Sequence, residues 1–373
     1  MTVHSTNRAG DLAAAPNPEA APAGAPAGDP VSPPPGGGPR RPGPGVSRYL
    51  LPRSRLLRLA FRRLLTAIPV VWGVTFLGFT VLNLLPGDAA QALLGADATP
   101  QEVAALSKQL HLDQPFLARY WTWLTGALSG HLGSSLGSGQ PVTTILAQRL
   151  PVTFELLLYA FIISLLIAIP VATFAARKPG GIFDSITTFI ALVGLSIAPY
   201  ILALLLILFF SVDLSLFPAL GWTPVSGGLG ANLRSLTLPA LSLGFPIGCF
   251  YTRLLRADVL EQLDEDYVVT AHAKGLPGWR VLLRHATPNS MFGLITVVAL
   301  NVGTLLGGTV IVEQIFGLPG IGEELFQAIQ TRDFPVLEGI VVVFAVLVVV
   351  IGLLADLLYA VLDPRIRYDN PGQ

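Results

Sequence analysis

Charge is scarce in this chain: 12% of its 373 residues are Asp, Glu, Lys or Arg, against 52% hydrophobic. A mean hydropathy of +0.64 excludes an ordinary water-soluble domain and points to a membrane. The 23 basic and 23 acidic residues cancel, so no global field argues for nucleic acid as a partner. The single cysteine, Cys249, sits in an apolar run, which excludes an intrachain disulfide and reads as a small packing residue. Lysine occurs only as Lys108, Lys178 and Lys274, followed by Gln109, Pro179 and Gly275. A phosphate-binding P-loop needs Lys followed by Ser or Thr, so that the ammonium meets the phosphates and the hydroxyl meets Mg²⁺. This sequence therefore has no nucleotide-hydrolysing motif of that kind. His272 and His285 lie 13 residues apart with no Cys nearby, which gives no metal-binding pattern.

A secretory signal is also missing, because no apolar run of about 7 to 15 residues occurs before residue 50. Residues 1–48 are instead rich in Ala, Pro and Gly, a composition that buries too little apolar surface to offset chain entropy. They read as a disordered arm, followed by one membrane domain over 49–368 and a short tail, 369–373.

What the chain has in abundance is long uncharged runs. A bilayer core takes about 20 apolar residues in helix, and in lipid only helices or closed barrels satisfy the backbone. Six such helices are expected: 64–85, ending at "LLPGD"; one beginning near Pro151 and stopping at "ARKPGG"; the interval between Asp184 and Asp213; 236–253; 289–312; and 339–362. Pro170, Pro199 and Pro246 are expected to interrupt the second, third and fourth as kinks or hinges. With six spans the Lys and Arg residues divide 18 to 5 between the two sides. The positive-inside rule then puts both termini in the cytoplasm.

On the outside the longest loop covers 86–150. In it "TPQEVAALSKQL" reads as a helix with Thr99 as N-cap, Pro100 at the first position and Glu102 reaching back. Tyr120, Trp121 and Trp123 follow at a density typical of helices lying in the membrane interface. A second outer loop, 313–336, contains Gly317, Pro319, Gly320 and Gly322, which force a turn before a short helix.

The cytoplasmic loop 257–288 is the most informative segment. Asp264, Glu265 and Asp266 stand where a helix N-terminus is electropositive; "YVVTAHA" continues the helix, and Gly275 and Pro277 end it. A second helical piece from Trp279 to His285 precedes Pro288. The pattern predicts a compact helix-turn-helix projection exposing Tyr267 and Ala271, spaced i, i+4, for insertion into a groove of another protein.

"TAHAKGLPGWRVLLRHATPN" resembles the EAA loop of bacterial ATP-binding-cassette (ABC) import permeases, with Ala271, Ala273, Gly275 and Pro288 at the matching positions. Thr270 replaces the family's leading Glu, as in the dipeptide and oligopeptide branch. "LLPGD", "GHLGSSLGSGQPV", "RLPVTFELLL", "VEQIFGLPGIG" and "DPRIRY" also resemble that branch, in order over residues 60–368. The resemblance implies an all-α fold with six transmembrane helices, the type I ABC importer permease fold, whose coupling helix lies between spans four and five. It implies a B-type subunit in a bacterial cytoplasmic membrane that pairs with a homologous C-type permease. Two cytoplasmic ATPases would hold ATP and Mg²⁺, this chain none, and an extracytoplasmic binding protein would deliver the peptide. Contact with the ATPases falls to Asp266, Tyr267, Ala271, Ala273, Lys274, Gly275, Leu276 and Arg280. Gly317, Pro319, Gly320 and Gly322 would face the binding protein.

The path itself is marked by Asn301, Thr304 and Gly308 on one face of the fifth span, with tight helix packing as the competing account. Glu155, Asp258 and Asp356 fall near span ends, where snorkelling explains a charge without a substrate. Nickel chelates or another small solute fit the same architecture. An ion-coupled secondary transporter would want an internal repeat and midplane charges, and neither is visible.

Overall fold

The structure, a computed structural model, describes residues 53–84, 98–109 and 114–362. The arm 1–48, the tail 369–373, most of "LLPGD" and the "DPRIRY" segment lie outside the described residues. In chain order the helices are α1 (Arg53–Leu84), α2 (Pro100–Gln109), α3 (Phe116–Leu128), α4 (Val142–Ala176) and α5 (Ile182–Ser196). Next come α6 (Pro199–Leu206), extended by a wide π turn over Ile207–Asp213, and α7 (Leu229–Leu263). The rest are α8 (Asp266–Ala273), α9 (Gly278–Val281), α10 (Thr287–Phe316), α11 (Ile321–Thr331) and α12 (Phe334–Leu362).

Among the described residues α1, α4, α7 and α12 are each long and apolar enough to cross a membrane. Two bent pairs pass the same test together: α5 with Pro199–Asp213, and Gly278–Val298 with Gly303–Phe316. All six uncharged runs are thus helical, but the third is no single rod. It turns through 104° between Ser196 and Pro199. Ala198 is extended (ψ 141°) because a proline ring excludes the residue before it from the helical region, and Ile197 is extended beside it (ψ 122°). Pro199 then starts α6, where its missing N–H costs nothing. Pro170 and Pro246, by contrast, lie inside the continuous helices α4 and α7 and break neither.

The centre of the fold is the pairing of α4 with α7, and small residues make it. Ala160, Ser164, Ala168, Ala172 and Ala176 repeat every four residues along α4 and are buried. Gly244 and Gly248 face them from α7: a Cβ on Gly244 would stand 2.5 Å from the Ala160 carbonyl oxygen, and one on Gly248 3.2 Å from that of Ser164. In lipid two apolar helices gain little by leaving the solvent, so association comes from close backbone approach and dispersion. Phe154, Leu158, Ile162, Leu166 and Phe174, on the other face of α4, are exposed. A water-soluble monomer does not carry such a belt, and the chain is a multi-pass membrane protein.

The aromatic cluster of α3 packs into the fold. Tyr120 of α3 is buried against α1, edge-on to Phe76 and Phe79 (centroids 5.2 and 5.4 Å apart), with its hydroxyl 3.2 Å from Thr75 Oγ1. Trp123 packs beside it and Trp121 points outward. The preceding helix, α2, starts at Pro100 as its sequence dictates.

Candidate coupling site

Where α7 ends at Leu263 the chain makes a short hairpin of helices and returns to α10. Glu265 is extended (ψ 149°) and precedes α8, whose first turn holds Asp266, a carboxylate at the positive end of the helix. Gly275, at φ +78°, lies in the left-handed region and closes α8: its N–H donates to the His272 carbonyl (2.9 Å) and the Leu276 N–H to that of Ala271 (3.2 Å). Pro277 then leads into α9, which runs on through the wide turn Leu282–Ala286 into α10. Of the projection, α9 is thus one run of helix with α10, while α8 is set off from it by the turn at Gly275 and Pro277. α10 stays helical to Phe316, with a 64° change of direction between Val298 and Gly303.

The hairpin has its own core. Val268, Ala271 and Val281 are buried together, with Leu263, Tyr267 and Leu276 packed around them. Tyr267 donates its hydroxyl hydrogen to Gln262 Oε1 at 3.0 Å. The expectation that Tyr267 and Ala271 form the exposed edge is therefore corrected: Ala271 is buried and Tyr267 half-buried, because both serve to stiffen the hairpin. The outward face carries Asp266, Val269, Thr270, Ala273 and Lys274 instead, with Val269 64% exposed. Arg280 is also exposed and its guanidinium lies 5.4 Å over the Trp279 ring.

A pair that the sequence showed only as separate charges ties the base of this region to α5. Asp184 is buried and holds Arg256 of α7 in a fork, through Nε and through Nη2 at 2.7 Å. It also accepts the Gly180 N–H at 2.8 Å, which fixes the turn after "ARKPGG". The Thr173 and Thr287 hydroxyls lie 3.4 Å apart, between the end of α4 and the start of α10.

The three residues assigned to the path are not equivalent. Thr304 is exposed, but Asn301 is half-buried and donates from Nδ2 to the Val297 carbonyl (2.9 Å). Gly308 faces α7, where a Cβ would stand 2.9 Å from Leu243 Cδ2. The open stripe of α10 is Thr296, Leu300, Gly303, Thr304, Gly307 and Ile311.

At the end of α10 away from the hairpin Gly317 takes the left-handed conformation (φ +59°) that ends the helix, and Pro319 is half-buried. Gly320 and Gly322 are buried, which corrects their assignment to a surface facing a partner. They are glycines because the Glu313 side chain fills the space where each Cβ would go, and Val310 Cα stands 2.5 Å from that of Gly322. Glu313 is fully buried and accepts from Thr153 Oγ1 (2.7 Å), Gly322 N–H (2.7 Å) and Glu323 N–H (3.2 Å). Arg149 of α4 pairs with Glu323 (2.5 Å) and Glu324 (2.8 Å) of α11. Asp333 accepts from Ser135 Oγ (2.5 Å) and from the N–H groups of Leu136 (3.2 Å) and Gly137 (3.4 Å), which explains the "GSSLGSG" loop. Glu155 accepts from Trp222 Nε1 and Asn232 Nδ2, so its charge holds a loop in place. The sequence named these segments without pairing them; the run of glycines after Glu313 was the one signal that a side chain had to be accommodated there. Among the described residues no three His, Cys, Asp or Glu side chains gather to hold a metal ion.

Residues 168–368 match the family model described as binding-protein-dependent transport system inner membrane component. Residues 56–157 match the model of the N-terminal part of such membrane components. A putative peptide transport system permease protein of Brucella abortus is 40% identical over 312 residues, covering 83% of this chain and 99% of the relative. The dipeptide transport system permease protein DppB of Alkalihalophilus pseudofirmus is 36% identical over 333 residues, covering 84% and 100%. The glutathione transport system permease protein GsiC of Salmonella choleraesuis is 35% identical over 317 residues, again 84% and 100%. With more than half of its length matched by one model and these relatives covered almost end to end, the chain belongs to the family of binding-protein-dependent transport system inner membrane components.

Proposed function

We infer that the chain is the permease subunit of an ABC importer of di- or oligopeptides, moving substrate and catalysing no reaction itself. The observation that carries this is family membership combined with the α8 hairpin: a stiff projection joined directly to a membrane helix, in a sequence without a P-loop. The relatives' names, peptide, dipeptide and glutathione, support a short peptide as substrate. In this reading the two bent pairs each count as one span, which gives six, and the 18 to 5 division of Lys and Arg puts both termini and the hairpin in the cytoplasm. The translocation path forms with a second, homologous permease, an extracytoplasmic binding protein supplies the peptide, and two ATPases dock beneath.

Docking uses the outward face of α8, from Asp266 to Lys274, with Gly275 setting its angle. Arg280 lies beside it, while Ala271, Tyr267 and Leu276 hold it rigid from within. ATP-driven closure of the ATPases then moves the hairpin as a unit and tilts α7 and α10. Co-expression with a cognate ATPase, binding protein and second permease tests the reading. The chain is expected to co-purify with the ATPase and to support uptake of labelled di- to hexapeptides, which cells lacking it do not take up. Uptake unaffected by loss of the chain, or a chain that purifies without any ATPase, would overturn it.

A further inference from the structure

We propose that Glu313 is a positioning residue for transport: its buried carboxylate locks α11 to the outer end of α10, so that movement delivered by the cytoplasmic hairpin reaches α11 rather than being absorbed in the turn between them. This rests on the reading of the α8 hairpin as the ATPase contact.

The connection from Gly317 to Gly320 contains two glycines and a proline, and left to itself it would let two helices swing freely. Glu313 removes that freedom. The first N–H groups of a helix have no partner within it, and here three are met from outside. Gly322 and Glu323 donate to the Glu313 carboxylate, and Ile321 donates to Thr153 Oγ1 (2.8 Å), whose own hydrogen goes to Glu313 Oε1. Each hydrogen bond to Glu313 is donated by its partner, which suits a carboxylate; a Gln would have to turn its –NH₂ towards Thr153 Oγ1, whose own hydrogen would then lose its acceptor. Reversing the chain does not need this. Gly317 already closes α10, with the Leu318 N–H on the Glu313 carbonyl at 2.9 Å, and a local Ser or Asp could cap α11. A carboxylate is costly to bury, and one reaching from α10 to both α4 and α11 joins three helices at a point.

That point lies at the opposite end of α10 from the hairpin, and the two are connected by helical backbone from Gly278 to Phe316 that bends once, through 64° between Val298 and Gly303. Beyond it α11 is gripped by Arg149 and followed by Asp333, which holds the 135–137 loop, while Phe326 and Ile329 remain exposed on its surface. Displacement of α10 therefore carries the outer helix and its attached loop with it.

The test uses the complete importer in proteoliposomes, comparing Glu313→Gln, Thr153→Val, Thr153→Ser and Gly275→Val. The expected result for Glu313→Gln and Thr153→Val is assembled complex, parental basal ATP hydrolysis and an unchanged KM for peptide-loaded binding protein. Maximal uptake falls at least about fivefold, the low end for coupling between two sites. Thr153→Ser, which keeps the hydroxyl, restores it. If maximal uptake is unchanged in both variants, or falls only in step with the amount of assembled complex, Glu313 is a structural cap and the proposal fails. Normal uptake in Gly275→Val would instead remove the coupling reading itself, and this inference with it.

Discussion

Gly275→Val is expected to cut peptide uptake tenfold or more while the protein still inserts in the membrane. Gly275 stands at φ +78°, and nothing lies within 4 Å of where a Cβ would be. The cost of a side chain is therefore conformational and not steric crowding by neighbours. Left-handed backbone costs an L-residue about 1 to 2 kcal/mol, with β-branched residues worst placed. Relief requires the chain to leave that conformation, which opens the two hydrogen bonds that close α8 and turns its outward face away from its present angle. If that angle sets the ATPase contact, a loss of about 1.4 kcal/mol in productive docking is already tenfold in rate. Gly275→Asn separates backbone conformation from the loss of glycine as such, because Asn enters the left-handed region readily; it is expected to retain most of the uptake. Uptake by Gly275→Val at the parental rate, with ATP hydrolysis still stimulated by loaded binding protein, would exclude this account.

The second large effect is on stability. Arg256→Ala leaves Asp184 buried with only the Gly180 N–H to meet its charge, and breaking a buried ion pair on one side costs about 3 to 5 kcal/mol. The Arg256 side chain is 26% exposed, so water can meet part of the charge left behind and the expected loss is smaller, about 1 to 3 kcal/mol. The change appears as a lower melting midpoint of the detergent-solubilised protein. The double replacement Asp184→Leu with Arg256→Met removes both charges and keeps similar volume, so it is expected to recover most of the loss. A single variant that melts like the parent would mean that the pair contributes nothing to holding α5 on α7.

Much of the fold was legible because the membrane imposes strong rules. Uncharged runs located all six helical regions, and Pro100, Gly275 and Gly317 marked helix ends by the conformations they favour. Faces were harder. Nearly every residue of α4 and α7 is apolar or small, so no polar side shows which face packs; Ala160 and Ser164 differ from Phe154 and Leu158 only in size, and size is what Gly244 and Gly248 select. Ala271 was misread for the same reason, since an alanine is indifferent to burial. Charges misled differently. Asp184 and Arg256 are 72 residues apart and Arg149 and Glu323 174, and a sequence shows each charge as a loop marker until the fold brings its partner up. Pro199 breaks its span while Pro170 and Pro246 do not.

The most direct measurement places single cysteines on α8 in the assembled importer. Cys249, the native cysteine, is buried in α7, so an introduced thiol reports on its own position. Val269→Cys and Ala273→Cys, on the outward face, are predicted to cross-link to the ATPase, and Ala271→Cys, packed against Val268 and Val281, is predicted not to. Labelling of positions 269 and 273 by a membrane-impermeant thiol reagent added outside intact cells, with no cross-link to the ATPase, would contradict the account.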